Sequence, residues 1–347
     1  MSASTFANFS WSLLFPKTKH LEAIHKLLER SSHSVSLVKD KIYIFGGEKE
    51  PRIPIDDNLM MYDLKLNKWS VAEVKSVERP MARIGNASCV VNHKLYVFGG
   101  RTGIEMGEGS LNDLYEYDTE TNIWNQLKPN LISNENPPPR SYHTMTSLKN
   151  KLYVFGGCSA DHGRLNDLFE FDLTQNKWKQ LKSDDRIAPR GGSSLCSFES
   201  SNEAAEPSCL YLVGGFKGEE LDDVFKYDLA QDVWTQESSM PRKLSVFAGS
   251  SVNNDKLIID GKKVRLLVHG GEIDPSTKGH NGAGEFSSDI YAFNGDKWNI
   301  LSNNHGEKPS NRGWHAGCYG FDNKFYIFGG NLEDNNRTNE LWSLNFE

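Results

Sequence analysis

The stretch KLYVFGGCSADHGRLNDLFEFDLTQNKW (151–178) carries three strands of one repeating unit, and its reading decides the fold. A short apolar run, LYVF, ends in a Gly-Gly pair, a polar loop follows, FEFDL alternates within NDLFEFDL, and after a turn Trp178 opens the next strand. Period-two alternation bounded by turn residues is the pattern of short β-strands. The strand ending in Gly-Gly recurs as KIYIFGG (41–47), KLYVFGG (94–100), CLYLVGG (209–215), VRLLVHGG (264–271) and KFYIFGG (324–330), at spacings of 53 to 59 residues. Its aromatic follower recurs as NLMMYDL, NDLYEYDT, DDVFKYDL, SDIYAFNG and NELWSLNF, and Trp69, Trp124, Trp234 and Trp298 repeat the role of Trp178. Small-residue alternating stretches such as SHSVSLV and YHTMTSL precede the Gly-Gly strands.

Six units of four short strands predict an all-β, six-bladed propeller, because blades stacked about an axis bury faces that a single sheet leaves open. The paired glycines end each second strand near the crowded axis, where a Cβ would clash. The sixth unit stops at LWSLNFE without its Trp, and FSWSLL (9–14) supplies Trp11 at the other end of the chain. The N-terminal strand therefore completes blade six. One domain, 1–347, follows: the outer strand of blade six at 9–15, then blade one at 31–75, two at 84–130, three at 141–183, four at 191–239, five at 245–303, and the rest of blade six at 313–346. A short amphipathic helix is expected near 19–30, in KHLEAIHKLLER, with Leu21, Ile24 and Leu28 on one face. The repeat signature resembles the kelch family over nearly the whole chain, a resemblance specific for fold and nearly silent on function.

Composition narrows the function classes. With 39 Lys+Arg against 46 Asp+Glu the net charge is −7, which argues against nucleic acid as a partner. No apolar run reaches membrane-span length, and MSASTFANFSW lacks a signal layout. Five scattered Cys without a CxxC pair read as reduced thiols. A cytoplasmic protein, with nuclear access, is the expectation. No Gly-x-Ser-x-Gly elbow or phosphate-binding Gly-rich loop nominates a catalytic residue.

Strand order places the loops entering each inner strand on one face with the long loops that follow Gly-Gly, notably 101–112 and 272–288. Long loops on one face point to a binding face. Arg30, Arg83, Arg140, Arg190 and Arg312 precede five of the six inner strands, with Leu244 breaking the series in blade five. Five such residues converge on the channel mouth. Their guanidiniums either grip a sulfate, phosphate or carboxylate, or bond backbone carbonyls and knit the ring. His33, His143, His315 and Trp314 enter at the same level, to contact a ligand or to pack together.

The loop GGEIDPSTKGHNGAG (270–284) lies on this face and offers Glu272, Asp274 and His280, a donor set for ferrous iron or zinc or an ordinary polar turn. The whole-chain layout resembles the plant specifier proteins, the epithiospecifier, nitrile-specifier and thiocyanate-forming group. The matching features are the N-terminal Trp strand, RSSH (30–33), SVFAG (245–249), the GGE…GH..AG loop and RGW (312–314). That resemblance implies an Fe(II) site of form Glu-x3-Asp-x3-His, with Glu272 and His280 matching and Ser276 standing where the family has Asp. Asp274 is the nearest acid to that gap. The implied activity is iron-assisted elimination on a glucosinolate-aglycone-like anion, giving nitrile-type products. Arg30, Arg83, Arg140, Arg190, Arg312 and Trp314 are then the anion site, and the partner is a small anionic substrate. The alternatives are a protein-interaction module offering the same face to an acidic peptide, and a purely structural propeller.

Overall fold

The computed structural model describes residues 9–15, 28–105, 108–129, 136–200, 207–252, 256–277, 282–302 and 306–346. They form six four-stranded antiparallel sheets arranged as the blades of a propeller. Blade three shows the plan: an inner strand Thr144–Leu148, a Gly-Gly strand Lys151–Ser159, a third strand Gly163–Asp172 and an outer strand Lys177–Gln180. The ring closes as expected. Phe9–Phe15 pairs antiparallel with Leu341–Phe346, Trp11 opposite Leu344, and forms the outer strand of blade six.

The outer-strand tryptophans fill the wedges between blades. Trp178 stacks on Phe171 of its own blade at 4.9 Å and on Phe98 of blade two at 5.2 Å. Trp124 repeats this with Tyr117 and Phe45, and Trp234 with Tyr227 and Phe155. In blade six Trp11 sits edge-on to Trp342 and to His269 of blade five. Large aromatics contribute the area that stacked sheets need to exclude water between them.

The Gly-Gly pairs do more than avoid the axis. The second glycine of each pair donates its N–H to the residue that precedes the next blade's inner strand, as Gly47 to Arg83, Gly100 to Arg140 and Gly330 to Arg30. A Cβ on Gly157 would stand 2.7 Å from the Ser141 carbonyl oxygen, and its φ of +94° suits glycine. Closer to the axis runs a second belt. Ser32, Gly85, Tyr142, Gly192, Val246 and Trp314, one per blade, all have φ between 47° and 62°. Ser32 N–H donates to Trp314, Trp314 to Val246, Val246 to Gly192, Gly192 to Tyr142, Tyr142 to Gly85 and Gly85 to Ser32, at 2.7–3.0 Å. Six backbone hydrogen bonds thus join the blades head to tail in a closed circle.

Some loops are more ordered than their length suggests. In blades three and four the second and third strands continue past the Gly-Gly bulge, to Ser159 and Phe216, as β-arms. Blade five carries an extra hairpin, Ile258–Ile259 with Lys262–Lys263. The expected helix near 19–30 lies, for residues 19–27, outside the described residues. Leu28 is buried in the cluster that includes Phe15 and Trp69.

Candidate functional site

The residue after each Gly-Gly pair is locked by a backbone bridge to the start of its own inner strand: Ser31 with Glu48, Ile84 with Arg101, Ser141 with Cys158, Gly191 with Phe216, Ser245 with Glu272, and Gly313 with Asn331. This geometry sends all six, Glu48, Arg101, Cys158, Phe216, Glu272 and Asn331, into one cavity of about 140 Å³ at the axis. Arg52, Arg164 and Arg337 join them from the adjoining loops. Tyr142, Gly192, Val246 and Trp314 of the inner belt line both this pocket and the channel beneath, so they form its floor. Tyr142 and Trp314 come from blades three and six, opposite in the ring, and meet edge to face with centroids 5.5 Å apart. Trp314 therefore stands in the pocket as one half of an aromatic plug.

The five arginines in the loops before the inner strands are not in the pocket. Each is fully buried within its own blade. Arg83 donates to the Gly99 carbonyl at 2.9 Å and, in a fork, to Asp113 at 2.6 and 2.9 Å. Arg140 repeats the pattern with Gly156 and Asp167 and Arg190 with Gly214 and Asp223, while Arg312 donates to the Gly329 carbonyl and by one bond to Glu340. Arg30 donates to the Gly46 carbonyl at 2.7 Å and lies 3.8 Å from Asp56. The acids paired with them neutralise the ring of charge, and Arg30, Arg83, Arg140, Arg190 and Arg312, expected at the anion site, stand apart from the axial cavity. Buried guanidiniums need such partners.

The histidines also turn away from the pocket. His33 packs on Phe328 and His143 on Phe98, both at 5.3 Å, and His315 Nε2 lies 3.0 Å from His269 Nδ1. They line the lower channel, and burial pushes His33, His143 and His269 down to about 3 from an ordinary 6.5.

The pocket has its own cations. Arg101 is 1 % exposed, with its guanidinium 5.5 Å from the Tyr142 ring centroid and bonded to the Ile104 and Glu105 carbonyls. Arg164 lies over the Phe216 ring at 4.9 Å. No carboxylate among the described residues pairs with either. By contrast Arg337 reaches Glu48 at 4.0 Å and Arg52 reaches Glu105 at 3.8 Å. Glu48 also accepts the Ser32 hydroxyl at 2.8 Å and the Arg52 backbone N–H. Between the two unpaired arginines, the Cys158 thiol is raised by burial, an effect that Arg164 and Arg101 oppose.

Of the expected metal loop, Glu272 is buried in the pocket and accepts the Ser276 backbone N–H. Burial, with Glu220 nearby, pushes it up to about 7. Asp274 is exposed on the short ladder pairing Glu272–Asp274 with Glu285–Phe286, and it lines a separate surface cleft. It does not fill the gap at Ser276, which itself lines the pocket. His280 lies outside the described residues. No group of three potential metal ligands exists among the described residues, whose contribution to an iron site is the single carboxylate of Glu272. That donor set does not make up the implied site, and no step below runs through iron.

A family profile described as the KLHDC2/KLHL20/DRC7 Kelch-repeats domain matches residues 32–261. The chain is 31% identical over 336 residues to an N-(sulfonatooxy)prop-2-enimidothioate sulfolyase of Thlaspi arvense, covering 90% of this chain and 91% of the relative. It is 26% identical to the F-box/kelch-repeat protein At1g51550 of Arabidopsis thaliana, over 94% of this chain and 74% of that one. It is also 25% identical to the leucine-zipper-like transcriptional regulator 1 homolog of Drosophila melanogaster, where 92% of this chain spans 31% of the longer protein. The chain belongs to the kelch-repeat propeller proteins and, among them, is related to the plant specifier group.

Proposed function

We propose that this chain binds a small O-sulfated organic anion in the axial pocket and promotes loss of its sulfate, a specifier-type elimination. The observation that carries the reading is the pair Arg101 and Arg164, cations lining one cavity without a carboxylate partner among the described residues. A buried cation such as Arg101 is costly without a carboxylate, and an anionic ligand removes that cost, with the half-buried Arg164 as a second donor. Guanidinium forks match two oxygens of a sulfate and stabilise the charge that grows on it as the O–N bond breaks. That electron pair leaves with the sulfate, while the C–S bond pair closes the third C–N bond and releases sulfur, leaving a nitrile. Phe216, Tyr142 and Trp314 give the organic part an apolar wall and floor. The activity named for the Thlaspi relative, a sulfolyase, supports the same chemistry.

The direct test is sulfate release from N-(sulfonatooxy)prop-2-enimidothioate, followed by ion chromatography against the spontaneous rate. Acceleration by the wild type that falls at least tenfold in Arg101→Gln and in Arg164→Gln is the expected result. Release at the spontaneous rate, or variants as active as wild type, would refute it. Fe(II) enters this reading through Glu272 and His280 alone. Anaerobic reconstitution followed by metal analysis decides it: stoichiometric iron that is lost in both Glu272→Ala and His280→Ala restores the metal centre.

A second reading has support in the F-box/kelch and leucine-zipper-like relatives, whose names point to larger proteins built around such repeats. In it, Arg101 and Arg164 take a carboxylate of an acidic peptide. Ethyl sulfate that fails to bind where a carboxylate-rich peptide binds tightly, with the same dependence on Arg101, would favour it.

A further inference from the structure

A simple anion would leave half of the pocket's chemistry unused. In a six-bladed ring, blades two and three face blades five and six across the axis. The first wall holds Arg101 and Arg164; the opposite wall holds Glu272 and Asn331, with Arg337 bridged beside Asn331 and turned to Glu48 at 4.0 Å. Asn331 is 3 % exposed, its amide nitrogen donates to Asn335 Oδ1, and its own Oδ1 accepts no hydrogen bond among the described residues. Glu272 is 8 % exposed and no Lys or Arg among the described residues forms an ion pair with it. On the cationic wall Arg101 Nε is likewise without a hydrogen-bond partner. Donor capacity on one side and acceptor capacity on the other thus face a single cavity. Native structures rarely leave such buried groups unsatisfied.

Each one-sided ligand makes a bad fit. A bare anion bound to Arg101 and Arg164 shares one cavity with the buried Glu272 carboxylate, and charge repulsion there is less screened than in open water. A bare cation on Glu272 meets the two arginines. We propose that the pocket takes a bipolar ligand: an anionic oxygen group on Arg101 and Arg164, and an ammonium or other N–H-rich group on Glu272 and Asn331. The proposal rests on the anion reading and adds the substrate class, an aminoalkyl sulfate or similar zwitterion in preference to a simple alkyl sulfate. Cavity size agrees, since about 140 Å³ suits a short chain between the two charged ends.

The test compares two probes of nearly equal shape, 2-aminoethyl hydrogen sulfate and ethyl sulfate, by titration calorimetry on the full chain at pH 8 in EDTA. The expected result is binding of the aminoethyl ester at least tenfold tighter than ethyl sulfate. Glu272→Gln narrows that ratio below threefold, Glu272→Asp keeps most of it, and Arg101→Gln weakens both ligands. Equal affinity for the two probes in the wild type overturns the bipolar proposal while leaving the anion reading standing. So does a preference that survives in Glu272→Gln, with the variant's melting curve showing that it is folded. Failure of both probes to bind at 20 mM overturns the anion reading together with the proposal.

Discussion

Arginine has two distinct roles in this protein, and residue type alone does not separate them. Arg83, Arg140, Arg190 and Arg312 sit in repeat register, yet their side chains fold back onto an acid of the same blade. The clue lay 27 to 33 residues on, where Asp113, Asp167 and Asp223 recur in the third-strand motif and Glu340 takes that place in blade six. Position before a strand fixes where a residue stands on the ring, not which way its side chain turns. Arg101 and Arg164 gave no repeat signal, because the residue after Gly-Gly differs in every blade, as binding positions do. Glu272 and Trp314 were legible, one from its place beside the Gly-Gly and the other from the loop before its inner strand. Unequal stability effects follow. Arg140→Gln leaves Asp167 half-buried and unpaired, and chemical denaturation should show a loss of about 3–5 kcal/mol. Arg101→Gln removes a buried cation that has no carboxylate partner among the described residues, so stability changes by less than about 1 kcal/mol while ethyl sulfate binding weakens. Equal destabilisation in the two variants would contradict this division.

At the scale of elements, the blade is written in the sequence and its interior fittings are partly hidden. Alternation, Gly-Gly and Trp gave strand order, blade number and the closing strand, because each has a fixed geometric cause. The β-arms of blades three and four and the hairpin in blade five were missed, since polar loop composition does not distinguish an ordered arm from an irregular turn. The closing strand can be tested on its own. Trp11 is 9 % exposed between blades five and six, and its replacement by Ala removes an indole that packs on both Trp342 and His269 across that seam. A loss of about 3–5 kcal/mol is expected. Trp298, partly exposed on the outer strand of blade five, provides the comparison: its Ala variant should cost less than half as much. Gly157→Ala tests the close approach of the Gly-Gly strand to the start of its own inner strand. A Cβ against the Ser141 carbonyl at φ +94° should cost about 1–3 kcal/mol, read in the same denaturation series.

The whole molecule is a closed ring, and its inner circle of six hydrogen bonds ties every blade to both of its neighbours. Just outside that circle lie the buried histidines, and they make closure sensitive to acid. His33 is held down to about 3 by burial and by Arg30, and His143 to about 3 by burial and by Arg140. Both values are below the ordinary 6.5, so the unfolded chain binds protons that the folded one refuses. The stability from keeping them neutral is therefore complete above pH 6.5 and is lost as pH falls toward 3. At pH 5 each histidine forfeits about 2 kcal/mol, or about 4 kcal/mol for the pair, since blades one and three are separate sites. Asn86 occupies the same position in blade two, three residues after Arg83, so Asn is a substitution the ring already accommodates. In the double variant His33→Asn, His143→Asn, the drop in unfolding free energy between pH 7 and pH 5 should shrink by about 4 kcal/mol relative to wild type. A drop of unchanged size would mean that other groups carry the acid sensitivity of the ring.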